Sequence, residues 1–280
     1  MTDEQLTKWL NGSGFPLQMG IKHFVEHGGS PWQVRYEEHG WKNERDGTEG
    51  FIDLVLSRPF YDELRAVMVV ECKRPQNSKL IFPVTNSAQM DRSHCKIWFT
   101  HALEKQVFGW SDLGTVDPRT PEAAFCIVGG EKDKRAMLER ASATLISSTE
   151  ALAHEEQALV HATKSASSLF IYFSVFVTTA ELYVSDFAPS SVRLEDGMVD
   201  TAHFRQVPYL RFRKQLSTSS ENAQKIETSQ LSNRQIANLK LDGGAKENTV
   251  FVVNAASFPG FLHSFDVNVE YSDLPNRLHP

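Results

Sequence analysis

The sequence predicts an α/β fold: a mixed sheet with helices packed on it, a long helix in mid-chain and a β-rich C-terminal extension. Three observations predict it. An amphipathic helical stretch at 16–26 is followed by three strand-like runs, at 32–37, 51–57 and 66–72. A stretch rich in Ala, Glu and Leu covers 131–164. Beyond it, apolar or alternating runs at 169–177, 181–187, 207–214 and 250–255 read as strands.

In the first helix Leu17, Ile21, Phe24 and Val25 fall on one stripe. Pro16 suits its first turn, and Gly28-Gly29 ends it. Residues 42–50 and 58–65 read as turns. The run AVMVVEC at 66–72 is apolar enough to lie centrally in a sheet. Residues 74–95 read as loop. Residues 96–110 read as a second helix with Ile97, Phe99, Leu103 and Val107 partly buried, and 123–128 as a fourth strand closed by Gly129-Gly130.

In the long helix Leu138, Leu145, Leu152 and Leu159 recur every seven residues, but Ser142, Thr149 and Glu156 hold the other seam positions. A coiled coil wants apolar residues there. The helix is therefore expected to lie over its own sheet, with a dimer helix as the alternative. Runs 169–177 and 181–187 suggest a hairpin around Thr178-Thr179-Ala180. In 207–214, Leu210 and Phe212 alternate with Arg211 and Arg213. Residues 217–230 read as a polar loop and 258–265 as a short helix. The organisation expected is a core over 1–130, the long helix over 131–165, and an extension over 166–280 packed on the same sheet.

A chain of 280 residues can bury a core without covalent staples. Its net charge is −6, whereas nucleic-acid binding usually shows a basic excess. Any such contact must rest on local basic clusters or on bound metal. Cys72, Cys95 and Cys126 are odd in number and widely spaced, so neither a disulfide framework nor a zinc site is expected. No histidine metal site is expected either. The N-terminus has no basic segment leading into an apolar one, and the run 169–177 falls well short of the roughly 20 residues that a membrane helix needs. A soluble cytoplasmic protein with no membrane partner is expected. No G-x-x-x-x-G-K-[ST] is present, which excludes a P-loop motor.

The segment that carries chemistry is FIDLVLSRPFYDELRAVMVVECKR, residues 51–74. Asp53 interrupts an apolar strand with no turn nearby. Glu71 and Lys73 share one strand face, and Cys72 points away. Antiparallel pairing around a loop centred on Asp62 would set Asp53 opposite Glu71, with Cβ atoms about 4.5–5.5 Å apart. Two carboxylates that close repel, and one takes up a proton unless positive charge intervenes. Lys73 supplies one charge. A hard divalent cation, Mg²⁺ with Mn²⁺ as substitute, would supply the rest, held by Asp53 and Glu71. Such an ion polarises a phosphoryl group and acidifies bound water. Lys73 would orient or deprotonate that water, or stabilise developing charge. E-x-K alone is uninformative; its place after an apolar strand, with an aspartate one hairpin away, gives it weight. The alternative is a salt bridge at a strand end, with Asp53 a solvated strand residue paired to Lys73.

This D…E-x-K pattern, set between a helix and a following helix and strand, resembles the PD-(D/E)XK nuclease superfamily. That superfamily includes restriction endonucleases and Holliday-junction resolvases. The resemblance implies a restriction-endonuclease-like α-β-β-β-α-β core, an order that residues 16–128 match. It implies catalytic roles for Asp53, Glu71 and Lys73, with Ile52 standing where the family has proline. It further implies a magnesium-dependent endonuclease acting on DNA, a role in prokaryotic restriction or defence, and a homodimer if both strands are cut. Many relatives carry a glutamate near the start of the first helix. Gln18 stands there, a weaker ligand, and Glu26 is the substitute considered. Gln106 matches a glutamine that some relatives place near the metal. Arg74, Lys79, Arg92, Arg211, Arg213 and Lys214 are candidates for phosphate contact, with solvated charge the alternative. The other functional readings are a ribonuclease of the same fold, a binding module without turnover, and an interaction subunit whose DNA contacts lie in a partner chain.

Overall fold

The computed structural model describes residues 2–43, 47–61, 64–75, 79–84, 94–102, 106–115, 120–129, 137–162, 169–214 and 247–268. Helix α1 (Asp3–Gly12) starts on a capping box in which the Thr2 hydroxyl accepts the Gln5 N–H and the Gln5 side chain accepts the Thr2 N–H. Helix α2 (Phe15–His27) has Pro16 in its first turn and stops at Gly28, whose N–H reaches the Phe24 carbonyl at 2.7 Å. A Cβ on Gly28 would lie 2.5 Å from the Phe24 ring, so only glycine fits there.

Strands β1 (Gln33–Lys42), β2 (Glu49–Tyr61) and β3 (Leu64–Lys73) form an antiparallel meander. Helix α3 (Met137–Ala162) then leads to β9 (Leu169–Thr178), which pairs parallel to β3 along its whole length. Strands β13 (Asn248–Asn254), β12 (Tyr209–Lys214) and β7 (Glu122–Ala123) continue the sheet, giving the order β1-β2-β3-β9-β13-β12-β7. The other half of β9 pairs antiparallel with β5 (His94–Ala102). β5 pairs with β6 (Gln106–Thr115), which in turn meets β14 (Val267–Asn268). A smaller sheet takes the order β11-β10-β4-β8, from His203–Gln206, Glu181–Asp186, Lys79–Val84 and Ile127–Val128.

Both faces of the main sheet are covered, which explains the continuous apolar runs of β3 and β9. On one face Met68, Val70 and Phe173 pack with Ile21 and Val25 of α2 and with Phe261 of α4 (Phe258–Ser264). On the other, Val67, Val69 and Phe176 pack under Leu145, Ile146 and Leu152 of α3. Leu138, Leu145 and Leu152 of the α3 stripe thus lie on the chain's own sheet, and the Leu159 side chain falls outside the described residues. The polar seam of α3 is buried too: Thr149 Oγ1 lies 2.9 Å from Ser174 Oγ, and Glu156 pairs with Arg35 at 2.9 Å. Among the described residues no helix is long and apolar enough to cross a membrane.

Five expectations change. Residues 58–65 are not one turn, because β2 runs on to Tyr61 and β3 starts at Leu64. Residues 96–110 are not helix but parts of β5 and β6. Ile97 and Phe99 enter the α2-side core while Trp98 enters the α3-side core, a period of two with both faces buried, which shows no polar alternation. Residues 74–95 contain β4, whose Leu80 and Phe82 are fully buried. The run 123–128 is not one strand: β7 and β8 are two residues each and sit in different sheets. Residues 16–128 therefore do not show the expected α-β-β-β-α-β order: among the described residues no helix lies between β3 and β8, and the next helix, α3, leads to β9. Runs 169–177 and 181–187 form no hairpin, because β10 turns away to pair with β4 and β11.

Candidate active site at the end of β2 and β3

The last paired residues of the β2–β3 ladder are Leu54 and Val70, which leaves Asp53 and Glu71 one step further along adjacent strands. Asp53 turns its carboxylate into the gap. Its Oδ2 accepts the Cys72 N–H at 2.6 Å. Lys73 Nζ is ion-paired with Glu71 Oε1. On the other side, β1 places Glu38 level with Asp53, between the pairs Glu37–Leu54 and His39–Ile52.

Two local distortions deliver Glu38. A register shift between Val34 and Tyr36 bulges Arg35 out of the β1–β2 ladder. Glu38 itself has φ +48°, and among the described residues no other non-glycine has positive φ. Such a conformation costs on the order of 1 kcal/mol and persists only where surroundings enforce it. Gln18, buried at 4% exposure, is part of those surroundings. From α2 its Nε2 donates to Glu38 Oε1 at 2.6 Å and to the Asp53 backbone carbonyl at 3.0 Å.

Burial, then the like charge of Glu71, pushes the Asp53 carboxyl up to about 6 against the pull of the Cys72 N–H and Lys73; Glu38 adds to the rise. For Lys73, burial works against the charged form, but the Glu71 carboxylate bonded to it and nearby Asp53 outweigh it, so its pKa is raised. The ammonium therefore persists at neutral pH. It can orient a water or stabilise negative charge, and it cannot act as the base in this state. Burial pushes the Cys72 thiol well up, which makes it unreactive.

Asp53 and Glu71 share one ammonium, Lys73, and Glu38 adds negative charge beside Asp53, so the group carries an uncompensated negative charge when ionised. Asp53, Glu71 and Glu38 each have one oxygen engaged by the protein, on Cys72, Lys73 and Gln18 respectively. An all-oxygen acidic set suits Mg²⁺ or Mn²⁺. Among the described residues, however, no three His, Cys, Asp or Glu side chains are gathered closely enough to form an ion cage by themselves. Such a site would hold its ion through two carboxylates, with water or phosphate completing the shell, as magnesium commonly is.

The remaining expected residues divide. Arg74 Nη1 donates to the Asn11 carbonyl, and Arg74 lines a cleft of about 790 Å³ with Glu4, Thr7, Lys8 and Asn11. Glu26 does not join the site: it is exposed on α2 and acts electrostatically on Lys22. Gln106 begins a strand rather than lying on a helix, and its side chain falls outside the described residues, as do Arg92 and the side chains of His94 and His101. Arg211 is closed off from any phosphate at the surface. It is fully buried, with Nη2 3.3 Å from the Thr120 carbonyl and Nε 3.9 Å from Glu122. Arg213 pairs internally with Glu247 at 3.0 Å, and β12 lies three strands from β3. Lys214 pairs with Glu139, and Lys79 sits 3.5 Å from Glu181.

Glu38 was not foreseen; its only signal was an acid within a strand-like run, QVRYEEHGWK. His23 and His27 do stand four apart on α2, a spacing that can serve two metal ligands. Their rings stack at 4.5 Å, and His27 Nδ1 lies 3.1 Å from the His23 carbonyl. No family model, curated protein or solved structure matches the chain.

Proposed function

We propose that the chain is a divalent-metal-dependent nuclease of the PD-(D/E)XK type that hydrolyses phosphodiester bonds in DNA. The observation that carries the reading is the placement of Asp53 beside Glu71 and Lys73 where the β2–β3 ladder ends. The element order supports it: α2, the meander β1-β2-β3, α3 and then β9 parallel to β3 is the α-β-β-β-α-β order of the resemblance, with 79–128 inserted.

Asp53 and Glu71 would hold the cation, which when bound supplies Lewis acidity toward the phosphoryl oxygen and a more acidic water. Lys73 keeps its proton and sets a fixed positive charge beside the reacting phosphate, where it stabilises charge developing on the phosphoryl oxygens. The Cys72 N–H holds one Asp53 oxygen and leaves the other free of a hydrogen bond. Water adds to phosphorus and gives up a proton to solvent, the bond to the departing sugar oxygen breaks, and that oxygen takes a proton from a solvent water.

The test is nicking of supercoiled plasmid with Mg²⁺ or Mn²⁺ and with chelator, run beside a single-stranded RNA of similar length. Metal-dependent cutting of DNA that Lys73→Ala abolishes supports the reading. A Lys73→Ala protein that cuts as fast as the unaltered one overturns it, and faster cutting of RNA changes the polymer.

A further inference from the structure

We propose that the strand cut at this site has unpaired bases, and that Phe51 is the platform on which the base next to the reacting phosphate stacks. The inference rests on the nuclease reading above and names its substrate class: DNA that is single-stranded or locally unpaired.

The geometry starts from the strand that carries Asp53. Ile52 and Trp41 pack into the α3-side core, so Phe51, the neighbour of Ile52, faces the opposite side of the sheet. Across the β1–β2 ladder from Phe51 stands Gly40, and two residues before Gly40 stands Glu38, which Gln18 reaches from α2. Phe51 thus looks out on the α2 side, two residues from Asp53, or about 7 Å along the strand. That is within reach of a nucleotide whose phosphate is held at Asp53 and Glu71. The ring is carried by a paired strand whose back is buried, so its position is fixed.

Phe51 is 67% exposed, and among the described phenylalanines and tryptophans none is more so. Its cross-strand partner has no side chain to cover it: a Cβ placed on Gly40 would lie 3.8 Å from the ring. A single exposed ring would mean little. A second one stands on the same side. Gln18 meets Glu38 and Lys22 meets Glu37, so α2 runs counter to β1, and its first turn, with Phe15 54% exposed, points toward the Gly40–Phe51 pair. Glu38 and Asp53 lie beside Phe51, which disfavours a phosphate there and favours the uncharged face of a base. A base stacks on an aromatic ring whatever its identity. In a duplex both faces of a base are covered by its neighbours and only its edges are open in the grooves, so a ring that binds by stacking selects unpaired bases.

The experiment reads binding by fluorescence anisotropy with Mg²⁺ on the full chain carrying Lys73→Met, which slows cutting, and reads cleavage of the same DNAs with Lys73 in place. The probes are an oligonucleotide, its duplex with the complementary strand, and a strand of equal length whose residues all lack bases. The oligonucleotide should bind about tenfold more tightly than the duplex; Phe51→Ala should weaken it about tenfold, and Phe51→Trp should restore it. On the base-free strand Phe51→Ala should change nothing. Tighter binding of the duplex, an unchanged affinity in Phe51→Ala, or an equal loss on the base-free strand overturns the proposal; cutting that still needs Mg²⁺ and Lys73 would then leave the nuclease reading intact. If Phe51 governs binding of unpaired bases and the unaltered protein cuts none of the probes, the nuclease reading falls and the stacking platform is upheld. No binding of any probe overturns the proposal.

Discussion

The Asp53 carboxylate accepts the Cys72 backbone N–H at 2.6 Å, one step beyond the last paired residues of β2 and β3. A side chain thus occupies a place that a strand carbonyl would take if the ladder continued. The arrangement holds one carboxylate oxygen and keeps a half-buried acid near Glu71, at a cost that depends on pH.

The first prediction is that cost. The Asp53 carboxyl sits at about 6 in the folded chain against an ordinary 3.8. Below about pH 4 it is protonated in both folded and unfolded states, and no penalty arises. Between those values the unfolded chain gives up its proton while the folded chain retains it, so stability falls as pH rises, and the full penalty stands above pH 6. Asp53→Asn keeps an acceptor for the Cys72 N–H and removes the charge. In chelator at pH 8 it should stabilise the protein by on the order of 2 kcal/mol, and the gain should vanish by pH 4. Thermal melts across that range check it; a gain independent of pH would place its cause elsewhere.

Lys73 provides the second. Because its ammonium persists, its removal should strip charge stabilisation and leave metal binding in place. Lys73→Met should lower the cleavage rate by about 10²–10³-fold, with Mn²⁺ affinity unchanged or tighter once a neighbouring positive charge is gone. Single-turnover cleavage read beside Mn²⁺ titration separates the two. Loss of Mn²⁺ binding in this variant would mean that Lys73 builds the site rather than serving the reaction.

The placement of Asp53 relative to Glu71 was legible in the sequence because it is local: a short connection fixes the register, and the flanking apolar residues fix the strands. Gln18 and Glu38 were not legible as a pair. Their bond spans 20 residues and depends on the docking of α2 and on the Arg35 bulge, neither of which leaves a pattern. The reading of 96–110 failed because Ile97, Trp98 and Phe99 are all buried, so no alternation survives, while Leu103 and Val107 happen to fall at helical spacing. Arg211 failed for a related reason. Alternation implied an open face, but β12 lies between β13 and β7, and Arg211 meets Glu122 inside the sheet layer.

The third prediction concerns the tie between β1 and α3. Arg35 grips Glu156 with two nitrogens, at 3.0 and 2.9 Å, and the Tyr172 hydroxyl donates to the same carboxylate at 2.7 Å. Glu156 is 1% exposed, and burial raises its pKa despite Arg35 and Tyr172. Arg35→Met would leave that charge unpaired and should cost about 3–5 kcal/mol at pH 8. The loss should shrink as pH falls and Glu156 takes up a proton. The double variant Arg35→Met/Glu156→Gln should recover part of it. Urea unfolding at pH 8 and pH 5 measures both; equal losses for single and double variants would show that the pairing contributes nothing specific.

The fourth prediction concerns the cleft beside the site. Helix α1 buries none of its residues, so core packing does not account for its place. Arg74 follows Lys73 in the chain and bonds the Asn11 carbonyl, which sets its charge and that of Lys8 along one cleft, with Glu4 as the opposing charge. If a substrate strand leaves the reacting phosphate along this path, Lys8 and Arg74 each neutralise a phosphate. Lys8→Ala and Arg74→Ala should then each weaken binding of a short labelled DNA in chelator, and each should reduce the slope of log affinity against log salt by about one. Glu4→Gln should tighten binding without changing that slope. Fluorescence anisotropy over a range of salt reads all three. Unchanged slopes in both alanine variants would take the strand away from α1, whatever the outcome at Asp53.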